Sequence, residues 1–316
     1  MDGNIGFIGL GAMGYGMASN IRKKMPPEYV LYVFDVSASV CQRFKRELGG
    51  YGRIEIVDSA RAVAEDAVGV VSILPSAAVV QETFLNKKTG IVAAIKNVER
   101  ILLECSTIDS YSVQRIGREA IGAASGVYVD SPVSGGAPGA AAGTLSFILG
   151  HPEPSTSPNR IEKRLLDIVL TMADPNKLFW CGELGKGATA KIVNNYLSGT
   201  ILLANCEAMA LGVKSGLDPK LLYRVVTNST GQSFMFSNVN PVPGLSPDAP
   251  ASHDYRGGFR EPMMIKDMTL AIEAAKAARV KPSLAEAAVE VYREASMDPY
   301  CAERDATVLY HWLVKE

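Results

Sequence analysis

The sequence has almost no excess of charge of either sign. Its 32 basic and 33 acidic residues leave a formal charge of −1 over 316 residues. Proteins that bind nucleic acids carry a basic patch, which this balance does not support. We therefore expect no nucleic-acid partner.

Cysteine and histidine are also scarce, and neither is spaced as in a metal site. The five cysteines are scattered without a Cys-x-x-Cys pair, which indicates free thiols in a reducing compartment rather than a disulfide framework or a zinc site. His151, His253 and His311 lack metal-ligand spacing, so we expect no metal.

Long apolar runs and a leader segment are absent from the sequence as well. No apolar run reaches the length needed to cross a bilayer, so we expect no membrane partner. The first predicted strand begins near Asn4, which leaves no room for a targeting peptide. We expect a cytoplasmic protein, or one of the mitochondrial matrix if a presequence has been removed.

Strands and helices alternate in the first part of the chain. We predict strands at 4–9, 29–35, 69–74, 100–104 and 126–130, with helices between them, and two more strands at 143–149 and 177–181 that flank a helix at 159–173. Alternation of this kind predicts βαβ units and a mostly parallel sheet. The Pro- and Ser-rich segment 151–159 is predicted to be a surface loop.

The second part reads as helical throughout. We predict helices at 188–216, 218–228, 262–279, 282–296 and 301–314, with a long Pro- and Gly-rich loop at 238–258. The fold class is therefore α/β: a Rossmann-type dinucleotide-binding domain (1–186), followed by an all-helical domain (187–316) for substrate binding and oligomerisation. The long helix near residue 187 is expected to join them.

A glycine fingerprint opens the chain between the first strand and the first helix. It consists of Gly9, Leu10, Gly11, Ala12, Met13 and Gly14. In this context the first glycine makes a tight turn, the second admits a pyrophosphate, and the third allows close packing of helix and strand. The motif predicts a dinucleotide site at the N-terminus of the helix.

Asp35 ends the second predicted strand, about 20 residues after the motif. A carboxylate there can accept hydrogen bonds from the ribose hydroxyls, whereas a 2′-phosphate would meet a like charge. The next residues, Val36 to Ala38, offer no arginine. We therefore predict NAD as the cofactor, rather than NADP.

Three later strand ends carry residues suited to ligand binding. They are Leu74 and Pro75, then Ser106 and Thr107, and finally Ser134, Gly135 and Gly136. Ligands in such folds bind at the carboxyl ends of strands, and Ser-Gly-Gly offers a hydroxyl and N–H groups to a carboxylate. The alternative interpretation is ordinary turn chemistry for the first two segments and a plain Gly-rich loop for the third.

Together these motifs resemble the β-hydroxyacid dehydrogenase family, over essentially the whole chain. The matching segments are 9–14, Ser106-Thr-Ile108, Ser131-Pro-Val-Ser-Gly-Gly136, Gly143-Thr-Leu145, Gly187-x-x-x-Lys191-x-x-x-Asn195 and Lys266-Asp267. Ser131 departs from the family pattern, which has alanine there, and the loop 151–159 looks inserted. Segments 240–244 and 255–259 resemble the branch that acts on 3-hydroxyisobutyrate in valine breakdown.

The resemblance implies a role for each site residue. Lys191 would be the catalytic acid/base, and Asn195 would position the substrate. Ser134, Gly135 and Gly136 would hold the substrate carboxylate. The cofactor would be contacted by Leu74, Pro75, Thr107, Phe259 and Lys266.

The chemistry of the residues agrees with this role for Lys191. Lys191 and Asn195 are four residues apart, so they share one helix face. Desolvation and a neighbouring nicotinamide cation both disfavour a charged lysine. A neutral Lys191 would take the hydroxyl proton while hydride moves to the cofactor.

Other functions remain open at this point. The fold also suits a semialdehyde, glyoxylate or imine reductase, although imine reductases generally lack a lysine at this position. A dinucleotide-binding scaffold without activity is a further alternative, against which the Lys191–Asn195 pair argues. The apolar helix at 188–216 predicts a homodimer or homotetramer.

Overall fold

A parallel sheet of six strands organises the first part of the chain in the computed structural model, which describes residues 1–315. The strands are β1 (Ile5–Ile8), β2 (Leu31–Phe34), β3 (Ile54–Ile56), β4 (Gly69–Ser72), β5 (Ile101–Glu104) and β6 (Val127–Asp130). Their order is β3-β2-β1-β4-β5-β6. In such doubly wound sheets the ligand crevice lies where the order reverses, at the carboxyl ends of β1 and β4. The predicted Rossmann-type fold is confirmed.

Both faces of this sheet are buried under helices. The helices are α1 (Gly14–Lys24), α2 (Ala38–Leu48), α3 (Ala60–Glu65), α4 (Ala77–Leu85), α5 (Ser110–Gly122), α6 (Gly136–Ala142) and α7 (Arg160–Val169). Phe7 and Ile8, adjacent in β1, belong to two different hydrophobic clusters. Successive strand residues point to opposite faces, so burial on both sides explains why these strands are almost wholly apolar.

The strand β3 was missed by the sequence analysis, which expected helix between residues 35 and 69. Only Ile54 of its three residues is buried, and Glu55 interrupts the apolar pattern. The strand forms because it pairs in parallel with β2 at the edge of the sheet. That pairing is long-range and leaves little trace in a three-residue segment.

A second, three-stranded sheet follows. Its strands are β7 (Val133–Ser134), β8 (Leu145–Leu149) and β9 (Ala173–Trp180); β7 and β8 are antiparallel, and β8 and β9 parallel. The strands predicted near 143–149 and 177–181 are confirmed, whereas β7 was not predicted. The helix predicted to reach residue 173 ends at Val169, because the chain turns there to begin β9.

The rest of the chain is helical, as predicted. The helices are α8 (Lys186–Lys214), α9 (Pro219–Thr227), α10 (Phe234–Asn238), α11 (Glu261–Ala277), α12 (Ser283–Ser296) and α13 (Leu309–Val314). The predicted helix at 301–314 is wrong in its first half. Asp305 accepts a hydrogen bond from the Thr307 N–H group and caps a short 3₁₀ turn that precedes α13. The short helix α10 was not predicted.

Contacts divide the chain into two units, Met1–Lys191 and Ile192–Glu316. The division falls inside α8, a few residues beyond the boundary expected at 186–187. The first unit contains both sheets, and the second has its own core, in which Leu202, Met268 and Tyr292 are buried.

The helix α8 is long and apolar enough, by length and composition alone, to cross a membrane. The expectation that no segment passes this test is therefore wrong for Lys186–Lys214. Leucine, isoleucine and valine residues raise its mean hydropathy, but Asn205 and Glu207 interrupt the apolar run. Leu202, Cys206 and Met209 of α8 lie in the core of the second unit. A helix that packs into a protein core can be as apolar as one that crosses a membrane.

Glu261, the first residue of α11, is fully buried, and neither carboxyl oxygen has a hydrogen-bond partner among the described residues. Burial raises the pKa of Glu261 from an ordinary 4.5 to about 8, and Asp298 adds to the effect. The stabilisation due to the bound proton is therefore complete below about pH 4.5 and is lost as the pH rises through about 8.

We predict that the wild-type free energy of unfolding falls between these pH values by up to about 1.4 kcal/mol per pH unit relative to Glu261→Gln. Urea titrations from pH 5 to pH 9 measure the difference. Glu294→Gln, at an exposed position of α12, is the control and should follow the wild type. Parallel pH curves for the wild type and Glu261→Gln would contradict this account of Glu261.

Candidate active site

The glycine motif forms the turn between β1 and α1. Gly9 has φ +94°, in the left-handed region, and a Cβ there would overlap the carbonyl oxygen of Ile73. A Cβ on Gly14 would overlap the carbonyl oxygen of Gly9. Gly11 differs from both, because an added Cβ would meet nothing within 4 Å. The turn is closely packed at its two ends and open at its centre.

The open centre of the motif leads to an exposed helix N-terminus. Gly11 and Ala12 are exposed, Met13 is half-buried and Leu10 is buried. The helix α1 has no side-chain cap at Met13 and no acidic residue in its first turn. Its first N–H groups and the positive end of its dipole are therefore available to an anion, and a dinucleotide pyrophosphate fits this turn.

Asp35 follows β2 and lies against the glycine motif. Its carboxylate accepts hydrogen bonds from the Leu10 N–H group at 2.7 Å and the Ser37 N–H group at 2.8 Å. These two bonds fix its orientation, while each oxygen keeps a further lone pair for a hydroxyl donor. The next residue, Val36, is exposed, so no cation follows Asp35 directly.

Ser106 joins the ends of β4 and β5. Its buried hydroxyl accepts a hydrogen bond from the Leu74 N–H group at 2.8 Å, and its own N–H group donates to Glu104 Oε1 at 2.9 Å. The turns that carry Leu74, Pro75 and Thr107 are thereby tied together. Leu74 and Thr107 are half-buried and Pro75 is exposed.

The loop that carries Ser134, Gly135 and Gly136 leads from β7 into α6. Gly135 and Gly136 have φ +133° and +63° and are exposed, while Ser134 is half-buried. The α6 helix is attached to α1, since Asn20 Nδ2 donates to the carbonyl oxygen of Ala140 at 2.8 Å. The helix that begins at the glycine motif therefore also positions this loop.

Asp130 ends β6 and is fully buried. Its Oδ1 accepts a hydrogen bond from the Gly185 N–H group, and its Oδ2 accepts one from the Ala188 N–H group, each at 2.8 Å. Burial raises the pKa of Asp130, and these N–H donors act in the opposite direction. The Asp130 carboxylate therefore lies at the start of α8, one turn before Lys191. The Lys191 side chain is 8% exposed.

Asn195, on the same face of α8 as Lys191 by its spacing, is held by a buried acid. Its Nδ2 donates to Asp267 Oδ2 at 2.6 Å, and its Oδ1 accepts from Asn194 Nδ2 at 3.1 Å. The other oxygen of Asp267 lies 3.1 Å from Lys266 Nζ. The second unit thus brings together Asn195, Lys266 and Asp267.

Phe259 lies two residues before α11 in the sequence. Its N–H group donates to Asp305 Oδ2 at 2.6 Å, and its half-buried ring packs against the core of the second unit. Asp305 is buried, which raises its pKa, while Thr307 and the Phe259 N–H group act in the opposite direction.

Asp130 and Asp305 shape these sites but had no role in the sequence analysis, where Ser106 and Asp267 appeared only as parts of motifs, without their partners. Each of the four also bonds to a distant segment, with a partner between 32 and 72 residues away along the chain. The sequence shows that Asp130 ends the predicted strand at 126–130, but it does not show which groups this acid bonds to. In the part of the chain that the structure describes, no group of three or more His, Cys, Asp or Glu residues could hold a metal.

Comparison with known proteins agrees with this geometry. Residues 4–172 match the family model for the NAD binding domain of 6-phosphogluconate dehydrogenase. Residues 185–313 match the model described as NAD-binding of NADP-dependent 3-hydroxyisobutyrate dehydrogenase.

Individual relatives extend over nearly the whole chain. A mitochondrial 3-hydroxyisobutyrate dehydrogenase from Mus musculus is 34% identical, over 99% of this chain and 87% of the relative. An NAD-dependent L-serine dehydrogenase from Pseudomonas aeruginosa is 37% identical, over 96% of each chain. The solved structure of 3-hydroxyisobutyrate dehydrogenase from Mycobacterium tuberculosis with L-serine has a TM-score of 0.85 and 29% identity, over 100% of both chains.

The chain therefore belongs to the β-hydroxyacid dehydrogenase family. It is an oxidoreductase that acts on a small hydroxyacid with NAD(P) as its cofactor. The family predicted from the sequence motifs is confirmed.

The two kinds of glycine in the motif allow binding to be separated from packing. We predict that Gly11→Ala keeps the wild-type thermal unfolding midpoint but weakens NAD binding by on the order of tenfold or more, about 1.4 kcal/mol. The added Cβ would meet no protein atom but would occupy the space left for the pyrophosphate. Gly14→Ala should instead lower the midpoint.

Isothermal titration with NAD and thermal unfolding measure the two effects. Unchanged NAD affinity in a folded Gly11→Ala variant would show that the pyrophosphate does not bind at this turn.

Proposed function

We propose that this enzyme oxidises 3-hydroxyisobutyrate to methylmalonate semialdehyde with NAD, a step of valine breakdown. The observation that carries the proposal is the buried Lys191 on α8, with Asn195 one turn further on and hydrogen-bonded to Asp267. The chemistry supplied by NAD, held at the glycine motif and Asp35, would be acceptance of the hydride. A neutral Lys191 takes the hydroxyl proton as the hydride leaves, and in the reverse direction its ammonium group returns the proton.

The other residues bind and orient the two ligands in this proposal. Ser134, Gly135 and Gly136 offer a hydroxyl and N–H groups to the substrate carboxylate. Asn195, whose amide is oriented by Asp267, positions the substrate. Leu74, Pro75 and Thr107 contact the nicotinamide half of the cofactor, and Phe259 and Lys266 also bind the cofactor.

NAD is preferred to NADP because of Asp35. Its carboxylate is held by two backbone N–H groups and keeps lone pairs for both ribose hydroxyls. A 2′-phosphate at this position would face a like charge, and the exposed Val36 that follows cannot neutralise it.

L-Serine is a second candidate substrate. One relative is named for its oxidation, and the solved structure from Mycobacterium tuberculosis contains it. Both compounds are short β-hydroxyacids, but L-serine carries an ammonium group where 3-hydroxyisobutyrate carries a methyl group. The residues proposed to touch the substrate include a lysine and no carboxylate. This charge balance favours the methyl group.

An NADH-formation assay tests the proposal, with NAD and NADP offered separately. The substrates are 3-hydroxyisobutyrate, 3-hydroxypropionate, L-serine, glycerate and 6-phosphogluconate. We expect the highest kcat/KM with 3-hydroxyisobutyrate and NAD. Lys191→Ala should lower kcat by about 10²–10⁴-fold while NAD binding is retained.

Lys186→Ala is the matched control, since it removes an exposed lysine from the start of the same helix. A higher kcat/KM with L-serine would make L-serine the substrate in place of 3-hydroxyisobutyrate. A preference for NADP would overturn the proposed role of Asp35. Full activity in Lys191→Ala would overturn its role as acid/base. Binding of NAD without turnover of any hydroxyacid would point to aldehyde or imine reduction, or to a scaffold.

We also infer that the enzyme is a homo-oligomer in which α8 contacts a second copy. Val193, Leu197 and Leu211 share one face of α8 by their spacing and are 57%, 53% and 71% exposed. Large exposed apolar side chains on one helix face are typical of interfaces between subunits.

Light scattering after size exclusion should give the mass of a dimer or tetramer for the wild type. The Leu211→Asp variant should shift towards monomer, because a charge would be buried in the interface. Val98→Asp, at another exposed apolar residue, should leave the mass unchanged. A monomeric wild-type protein would contradict the inference.

A further inference from the structure

Asp130 lies between two parts of the candidate site: the loop at 134–136 and the start of helix α8. It is the last residue of β6, and the loop that carries Ser134 to Gly136 begins directly after it. Its carboxylate accepts hydrogen bonds from the N–H groups of Gly185 and Ala188, where α8 begins. One fully buried side chain therefore contacts the start of the helix that carries Lys191.

The surroundings of this carboxylate have no spare room. A Cβ on Gly150 would overlap Asp130 Oδ1, and a Cβ on Gly187 would lie 2.9 Å from Oδ2 and 2.5 Å from the carbonyl oxygen of Ile148. The Gly150 N–H group also donates to the backbone carbonyl of Asp130 at 2.7 Å. The glycines at 150 and 187 thus let the backbone close around the acid.

The contact bears directly on the position of Lys191. Ala188, whose N–H group bonds to Oδ2, lies three residues before Lys191, which is about one helical turn. The first turn of a helix has N–H groups without partners inside the helix, so an outside acceptor sets where the helix starts. A shift of that turn would carry Lys191 with it.

We propose that Asp130 is the positioning residue for Lys191, and that its carboxylate sets the distance between the lysine amine and a substrate held by Ser134 to Gly136. This inference rests on the proposed acid/base role of Lys191. A displacement of about 1 Å from the productive geometry can cost on the order of 10²-fold in rate. The helix register set by Asp130 is thus part of the catalytic geometry.

The test compares Asp130→Asn with the wild type in the oxidation of 3-hydroxyisobutyrate, or of the best substrate found in the assay panel. Asparagine keeps the shape but turns an NH₂ group toward one of the N–H donors, so one bond to α8 is lost. We expect kcat to fall by on the order of 10²-fold, with KM and the Kd for NAD changed less than about threefold. With deuterium on the carbinol carbon, the isotope effect on kcat should increase, because chemistry becomes rate-limiting.

A purely structural cap would lower the thermal unfolding midpoint but leave kcat and the isotope effect of the folded enzyme unchanged. Asp218→Ala provides that comparison, since it removes the acceptor that caps α9 through the Leu221 N–H group at 2.8 Å. Gly187→Ala is the second variant, because its Cβ would displace the same turn while the carboxylate remains. It should lower kcat in the same way.

A folded Asp130→Asn or Gly187→Ala variant with wild-type kcat would overturn the proposal, and failure of both variants to fold would assign Asp130 to stability alone. Lys191→Ala is measured alongside them. If Lys191→Ala is fully active, the proposed acid/base role has failed. If it is inactive while Asp130→Asn is active, only the positioning role has failed.

Discussion

The buried carboxylate of Asp130 is the contact on which the arrangement of the first unit depends. An unpaired acid in a protein interior is strongly destabilising, and Asp130 is accommodated because backbone N–H groups at the start of α8 donate to both of its oxygens. Those N–H groups would otherwise lack partners, because a helix cannot satisfy its own first turn. The carboxylate thus gains hydrogen-bond donors and the first turn of α8 gains an acceptor. This pairing holds the end of strand β6 against the start of helix α8.

The same solution recurs in the second unit. Asp305 accepts N–H groups from Phe259 and Thr307, and Asp267 accepts the amide of Asn195. Buried polar groups of this kind select a single geometry, because any other leaves a donor or an acceptor unpaired. The residues proposed to contact substrate and cofactor are therefore held by neighbouring acids rather than by apolar packing alone.

The parts of the fold that could be predicted from the sequence are those with strong local patterns. Two such parts can be recognised from consecutive residues: the strand–glycine–helix segment at 4–24 and the long apolar helix α8. By contrast, β3 has three residues and exists because β2 pairs with it. The chain at 301–304 has helical composition, but Asp305 ends any helix there by bonding to Phe259 and Thr307. Short elements follow tertiary pairing rather than propensity.

The sequence by itself determined the class of this protein, because the glycine motif, Asp35, Lys191 and Asn195 lie in segments whose spacing carries their chemistry. The tertiary structure decided how these residues are held. Only the fold shows that Asp130 bonds to Gly185 and Ala188, that Ser106 ties Leu74 in place, and that Asp267 orients Asn195. The physical reason is that hydrogen bonds between distant segments depend on where the backbone brings donors and acceptors, which local residue patterns do not encode.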